Sequence, residues 1–368
     1  MKIVIASLGR AHLLDCAREL QKKGHDVTFF SATPKKNLQR YGMKHGGKSL
    51  LLHILPFYLL QRFFPSNVTR RIYSFILDCY VYICMPACNV FIAQSPNYQM
   101  SILKAKKKYK ALTILDRGSS HVQTFNQLKQ RYGALPQNKS YQQRDEHEYY
   151  TVDYIAIASD FVYKSFVENK FSSEKLFINP YGVSLKNFSP TICTNEFDCI
   201  VVGVWSRRKG SHLIVEAFQN TSVKILHVGT ICDVPFPKQT NFIHVDSVLE
   251  TQLMFYYKRA KIFLFPSYED GFGLVLCQAA ACGLPIVCSM NTGGPTLKRL
   301  IADTKYIYLM KELTSNELKK GVDYALSIAT ESNNKVRNYV HDKMKEFTWE
   351  AYGERYNEFL TKVKKDVL

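Results

Sequence analysis

Residues Lys261–Gly294 read KIFLFPSYEDGFGLVLCQAAACGLPIVCSMNTGG. Ile262–Phe265 is an apolar run of strand length that ends at Pro266-Ser267. Glu269 and Asp270 then lead into Gly271-Phe272-Gly273 and a helix-length segment carrying Gln278. Gly283-Leu284-Pro285 closes that segment before a second apolar run begins. A strand, a glycine-bearing turn and a helix start leave free backbone N–H groups beside polar side chains, an arrangement that favours an anion. Such a place suits a nucleotide diphosphate. Taken alone, the glycines fit an ordinary strand–helix–strand unit equally well.

The same alternation runs outward in both directions. In the first half the strand-like runs are Ile3–Ala6, Val27–Ser31, Val90–Ala93, Leu112–Leu115, Tyr154–Ala158 and Leu176–Asn179. In the second they are Cys199–Val204, Ile225–Val228, Phe242–Val245, Ile262–Phe265, Ile286–Cys288 and Tyr306–Leu309. Helix-period segments such as Ala11–Lys23 lie between them, which calls for parallel sheets covered by helices. Two such series, joined near Tyr181-Gly182-Val183, predict an α/β chain of two doubly wound domains facing each other across a cleft. The expected division is 1–188 and 189–349, with a C-terminal helix over about 350–368 returning to the first domain. In open sheets of this kind ligands sit beyond the carboxyl ends of the strands, so the cleft is the expected site.

At 368 residues and 46% hydrophobic, the chain has ample material for two cores. Its net charge of +18 is lopsided: residues 1–120 hold 19 Lys/Arg against 5 Asp/Glu, or +14, leaving +4 for the rest. A basic first domain implies a polyanionic partner. The ten cysteines are scattered through apolar runs without metal-ligand spacing, so they read as reduced core thiols and no metal site is expected. The opening Met1–Ala6 run is too short for a signal sequence and reads as a buried strand. Ile72–Ala93 is long enough to span a bilayer but contains Asp78, Pro86 and Asn89, which favours a buried helix followed by a strand. Leu50–Phe64, flanked by Lys44, Lys48, Arg62, Arg70 and Arg71, reads instead as an interfacial segment. Asp145, Glu146 and Glu148 read as the solvated face of a helix.

A second chemistry-bearing stretch opens the second domain: Gly203-Val204-Trp205-Ser206-Arg207-Arg208-Lys209-Gly210. Three consecutive cations at a loop–helix junction repel unless solvated or bound to an anion. Facing the Gly271–Gly273 turn, Arg208 and Lys209 would clamp a diphosphate and neutralise its leaving charge. In the first domain, Gly9-Arg10-Ala11-His12 and Gly118-Ser119-Ser120-His121 each follow a strand.

Together these residues resemble the retaining, nucleotide-sugar-dependent glycosyltransferases of family 4, which have the GT-B fold. Gly203…Lys209-Gly210, Gly182-Val183-Ser184…Phe188…Pro190 and Asp270-Gly271-Phe272-Gly273…Gln278 stand in that family's order, and the resemblance spans nearly the whole chain. It implies a UDP-, GDP- or similar sugar donor, no cofactor, no metal, and an acceptor that is a glycan or a lipid-linked sugar. Cell-surface polysaccharide or glycoconjugate synthesis is the implied setting. By resemblance, Gly9, Arg10, Gly203, Arg208, Lys209, Gly271, Phe272, Gly273, Leu274 and Gln278 bind the donor. His121, Asp270, Arg208 and Lys209 act at the reacting centre. The resemblance also implies a cytoplasmic enzyme, and the basic first domain adds peripheral contact with an anionic inner leaflet. Nothing in the chain resembles a nucleic-acid motif.

Three departures stand out. Val204 occupies the place of a phosphate-binding arginine, Asp270 that of a glutamate one methylene longer, and Gln278 that of a second glutamate that accepts ribose hydroxyls. The carbonyl of Gln278 is the expected replacement acceptor. These departures leave open a weakly active sugar-nucleotide-binding homologue; a nucleotide-sugar 2-epimerase is a separate alternative on the same fold.

Overall fold

The computed structural model describes residues 1–190, 196–301, 305–331 and 334–367. Its first sheet is built from β1 (Lys2–Ser7), β2 (Asp26–Ser31), β3 (Gly47–Ser49), β4 (Val90–Gln94), β5 (Leu112–Arg117), β6 (Tyr154–Ile157) and β7 (Leu176–Ile178). The spatial order is β3-β2-β1-β4-β5-β6-β7. Helices α1 (Ala11–Lys22), α2 (Lys35–Arg40), α3 (Leu51–Phe63), α4 (Asn67–Cys84), α5 (Gln99–Tyr109), α6 (Val122–Arg131), α7 (Lys139–Thr151) and α8 (Asp160–Glu168) connect and cover it.

The second sheet holds β8 (Phe197–Val202), β9 (Ile225–Val228), β10 (Phe242–Val245), β11 (Ala260–Phe265), β12 (Ile286–Ser289) and β13 (Ile307–Met310), in the order β10-β9-β8-β11-β12-β13. Its helices are α9 (Ser211–Phe218), α10 (Glu250–Tyr257), α11 (Leu274–Ala281), α12 (Gly294–Ile301), α13 (Ser315–Glu331) and α14 (Asn334–Lys343), with α15 (Trp349–Val367) at the end. The strand pairings within both sheets are parallel, from Ile3 opposite Val27 to Cys288 opposite Leu309. The chain is therefore an α/β protein of two doubly wound layers with order reversals at β1/β4 and β8/β11. The carboxyl ends at those reversals face one another.

Strand β3 has no counterpart among the apolar runs, because Gly47-Lys48-Ser49 at a sheet edge buries too little to carry a signal. The chain crosses between the layers twice, side by side: Val183 bridges Thr348, and its N–H donates to the Phe347 carbonyl at 2.6 Å. Gly182 lies so close to the second crossing that a Cβ there would stand 2.5 Å from the Trp349 nitrogen, which is why a residue without a side chain occupies the junction. Beyond it, α15 docks on the first layer. Phe359 stacks on Phe177 with centroids 4.0 Å apart, and Arg355 donates to the Asn179 side chain and the Pro180 carbonyl. Tyr352, Tyr356 and Leu360 are almost fully buried along that seam.

Candidate functional site

The loop after β8 and the loop after β11 are stitched together. The Arg208 carbonyl accepts from the Tyr268 N–H at 2.8 Å and from the Ser267 hydroxyl at 3.2 Å. This places Arg208 and Lys209 directly over Glu269 and Asp270. The Lys209 ammonium pairs with the Asp270 carboxylate and lies 4.7 Å from the centre of the Phe265 ring. The Arg208 guanidinium pairs with Glu269 at 3.2 Å.

These neighbours set the two acids apart. Burial works to raise the Asp270 carboxyl, but the Lys209 ammonium, its hydrogen bond and Arg208 together hold it below the ordinary carboxylate range. Glu269 is raised instead, by burial first and then by repulsion from Asp270. Asp270 also accepts from the Phe272 N–H at 3.2 Å, which fixes the turn into α11.

The opposite wall comes from the first layer. Both the Ser120 N–H and its hydroxyl donate to Glu269, at 3.1 and 3.3 Å, and the Ser159 hydroxyl donates to the Gly271 carbonyl. Gly271 approaches so closely that a Cβ would stand 2.1 Å from the Gly118 carbonyl oxygen. Glycine is thus required by the closure of one domain on the other.

Beside this contact the cleft opens into a cavity of about 200 Å³ lined by Arg10, His12, Glu250, Leu274, Gln278 and Trp349, among others. Arg10, Glu250 and Trp349 also line a larger groove of about 860 Å³ next to it. Gly9 and Arg10 follow β1, and Arg10 reaches across the cleft to Glu250 at 3.2 Å while stacking on Tyr41. His12 lies 2.7 Å from Asp116 and stacks on Tyr181. Gly203 ends β8 with φ +123°, Gly273 opens α11, and Phe272 packs edge-on to Tyr181.

The fold therefore brings Arg10, Arg208, Lys209, Asp270, Gly271–Leu274 and Gln278 to one cleft. It does not bring His121 there. That ring is 3% exposed between Tyr149 and Phe166, and its Nδ1 accepts the Gln123 N–H at the start of α6. Burial, then the Arg117 charge, lower its pKa to about 4, so it is neutral. The structure thus packs the His121 ring in the first domain's core and leaves it off the lining of this cavity. Gln278 departs from expectation in a subtler way. Its Oε1 already accepts from the Tyr257 hydroxyl at 3.1 Å, so the amide group presents mainly donors to the cavity.

Helix α7 departs from the expected solvated face. Asp145 and Glu148 are 1% and 0% exposed and form no solvated face. Asp145 pairs with the buried Arg117 at 3.1 Å, and Arg117 in turn donates to the Ser120 carbonyl. A line of buried charge thus runs from α7 to Glu269. Ser120, Glu250 and Tyr181 carry no sequence signal of their own, because their roles arise only when two distant loops meet.

Residues 185–343 match the family Glycosyl transferases group 1. A D-inositol 3-phosphate glycosyltransferase of Paenarthrobacter aurescens is 26% identical over 157 residues, 35% of this chain and 38% of that protein. The O-antigen chain mannosyltransferase B of Escherichia coli is 42% identical over 48 residues, 13% of each. The matched stretches thus span well under half the length of these curated relatives. Solved structures align along the whole chain. A sucrose-phosphate synthase of Thermosynechococcus elongatus has a TM-score of 0.66 at 16% identity and covers 100% of both chains. HepE of Anabaena, solved with UDP and glucose, has a TM-score of 0.68 at 15% identity and covers 98% of this chain and 100% of its own. At such identities the likeness establishes the GT-B fold.

Proposed function

We propose, because residues 185–343 match the glycosyl transferases group 1 family, that this protein transfers a sugar from a nucleotide diphosphate sugar to a hydroxyl of a glycan or lipid-linked acceptor. The observation that carries the reading is the pairing of Lys209 with Asp270 at the mouth of α11, with Arg208 on Glu269 beside it. Lys209, Arg208 and the N–H groups of Gly273 and Leu274 at the start of α11 are placed to take the negative charge of a departing diphosphate. Asp270, released from Lys209 as the phosphates arrive, takes hydroxyls of the sugar. Arg10 would exchange Glu250 for the donor's phosphates.

In the transfer, the bond from the anomeric carbon to the diphosphate oxygen breaks and the acceptor oxygen bonds to that carbon. The acceptor proton passes to the leaving phosphate oxygen. Attack from the face being vacated retains configuration. What supports this course is that Glu269 is held by Arg208 and Ser120, and Asp270, once released, is occupied by the sugar's hydroxyls, which leaves neither as a nucleophile. The neutralising charge comes from the protein's own cations, which is the basis for proposing a metal-independent reaction. A cytoplasmic setting, where nucleotide sugars are made, belongs to the same proposal.

The test is a thermal-shift screen of the full chain against free nucleotides and nucleotide sugars, since ligands that bind the folded state raise Tm by mass action. The proposal expects one nucleotide class to raise Tm, and Lys209→Ala to abolish both the shift and product formation. No shift with any nucleotide sugar, or a changed nucleotide sugar released without acceptor, overturns it. Gln278→Glu should tighten the donor about fivefold in Kd, because a carboxylate accepts hydroxyls more strongly than an amide. Calorimetric titration measures that change.

A further inference from the structure

Between Val27 and Leu115 the chain carries thirteen Lys and Arg residues and one acid, Asp78. That acid is buried, where the Met100 and Ser101 N–H groups and the Ser101 hydroxyl donate to it. The surface of this segment is therefore cationic with no exposed carboxylate.

The same segment projects twelve large apolar side chains into solvent between Leu52 and Ile83. They are clustered on α3, α4 and the turn joining them, and exposed apolar side chains gathered on two neighbouring helices mark a contact surface. Leu52 is 82% exposed, Phe63 69% and Ile83 72%. Only Ile54 of α3 is buried, although nearly every residue of that helix is apolar. A helix apolar on most sides is stable only when something covers it. Among the described residues no helix is long and apolar enough to cross a membrane, so the cover is met at a surface rather than by a span.

Beside this face, Arg70 and Ser74 of α4 form one wall of a cavity of about 910 Å³ completed by Lys129, Lys139 and Arg144. Leu135, 85% exposed, stands at its rim. Among the described residues, no carboxylate pairs with these four cations. The one acid in the wall, Asp145, is engaged by Arg117 through one oxygen, and its other oxygen has no partner. Arg144 donates to Ser74 at 3.2 Å, but its buried Nε is left without a partner. Burial, and then the charge of Arg70, hold the Lys129 ammonium below its ordinary pKa. Arg144 is offset by the Asp145 and Glu148 carboxyls behind it, whereas Arg70, Lys129 and Lys139 line the void without such an offset and repel one another unless an anion sits among them.

We propose that α3 and α4 lie in the interface of an anionic bilayer, with the phosphate of a lipid headgroup seated among Arg70, Lys129, Lys139 and Arg144. Charge complementarity decides the occupant. A second copy of the chain would bring the same excess of cations to the face, whereas an anionic leaflet supplies both the negative potential and the apolar layer. This proposal stands apart from sugar transfer, since a protein of any activity with this face would bind the same surface.

The experiment is sedimentation of the full chain with vesicles of phosphatidylcholine alone and of phosphatidylcholine mixed with phosphatidylglycerol. Binding should be at least about tenfold stronger to the mixed vesicles and should weaken as salt rises. The pair Leu52→Glu/Phe63→Glu and the pair Arg70→Glu/Lys129→Glu should each lower it by about tenfold or more, with Tm and the nucleotide thermal shift unchanged. If either pair fails to fold, Phe63→Ser and Lys129→Gln carry the same comparison. Absence of binding to mixed vesicles overturns the proposal, as does binding that both pairs retain. A concentration-dependent dimer dispersed by Phe63→Ser would assign the face to a second copy. Full displacement by inorganic phosphate, at an ionic strength where chloride leaves binding intact, would assign the pocket to free phosphate and overturn the lipid assignment.

Discussion

Glu148 is the residue whose chemistry its surroundings change most plainly. Both of its carboxylate oxygens are buried without a partner in the core of the first domain. Burial is the main cause, with Asp145 and Asp78 opposing Arg144 and Arg117, and together they raise its pKa from 4.5 to about 8. Its folded-state pKa lies above its unfolded one, so its contribution to stability is fully present below about pH 4.5 and is lost as pH rises toward 8. Over that window the unfolded chain releases a proton that the folded chain keeps. Glu148→Gln cannot titrate, so its stability advantage over the parent should grow between pH 5 and pH 8, on the order of 3 kcal/mol in total. Thermal denaturation of both proteins across that range checks it, and parallel curves would show that Glu148 ionises normally. Gln278 shows the same dependence on surroundings: its sequence position marked it for the donor, but Tyr257 decides which of its atoms remain available.

Among the elements, α15 shows how a tail becomes part of a distant core. Tyr356 is fully buried, with ring neighbours Phe177, Tyr352 and Phe359, yet its hydroxyl has no hydrogen-bond partner. Removing that oxygen should relieve a desolvation penalty, so Tyr356→Phe is expected to stabilise the chain by about 1 kcal/mol. Tyr356→Ala, which opens a cavity at the same place, should cost about 3 kcal/mol or more. Denaturant titration distinguishes the two, and a Phe variant less stable than the parent would mean the hydroxyl is satisfied in solution. At this scale most strands were legible in advance, because each buried strand is an apolar run bounded by turn residues. Strand β3 escaped because an edge strand of Gly-Lys-Ser buries almost nothing. Helix α7 is where the acids suggest one, but Asp145 and Glu148 look like solvent-facing charges until Arg117 and the β5 loop are placed beside them.

At the scale of the whole molecule, the two layers close on one point, where Gly271 meets Gly118. An added methyl at Gly271 has nowhere to go without separating the domains or displacing the turn that opens α11. Gly271→Ala is therefore expected to keep its secondary structure while its radius of gyration rises in small-angle scattering and the proposed sugar transfer falls about 100-fold, the effect of a misplaced reacting group. Full activity in this variant would show that the closed contact is not the working one.

The architecture and the residues along one side of the cleft could be read from the chain alone. Alternating apolar and amphipathic segments specify parallel sheets through local burial, and the glycine turn with its adjacent acids and cations is contiguous along the chain, so it can be read there. Only the tertiary structure decided the other side: Ser120 against Glu269, Arg10 against Glu250, and His121 turned into the core. It also decided that α3 and α4 keep their apolar face in solvent. Those outcomes depend on which distant loops meet and which faces go uncovered, and neither is encoded in the spacing of residues along a single segment.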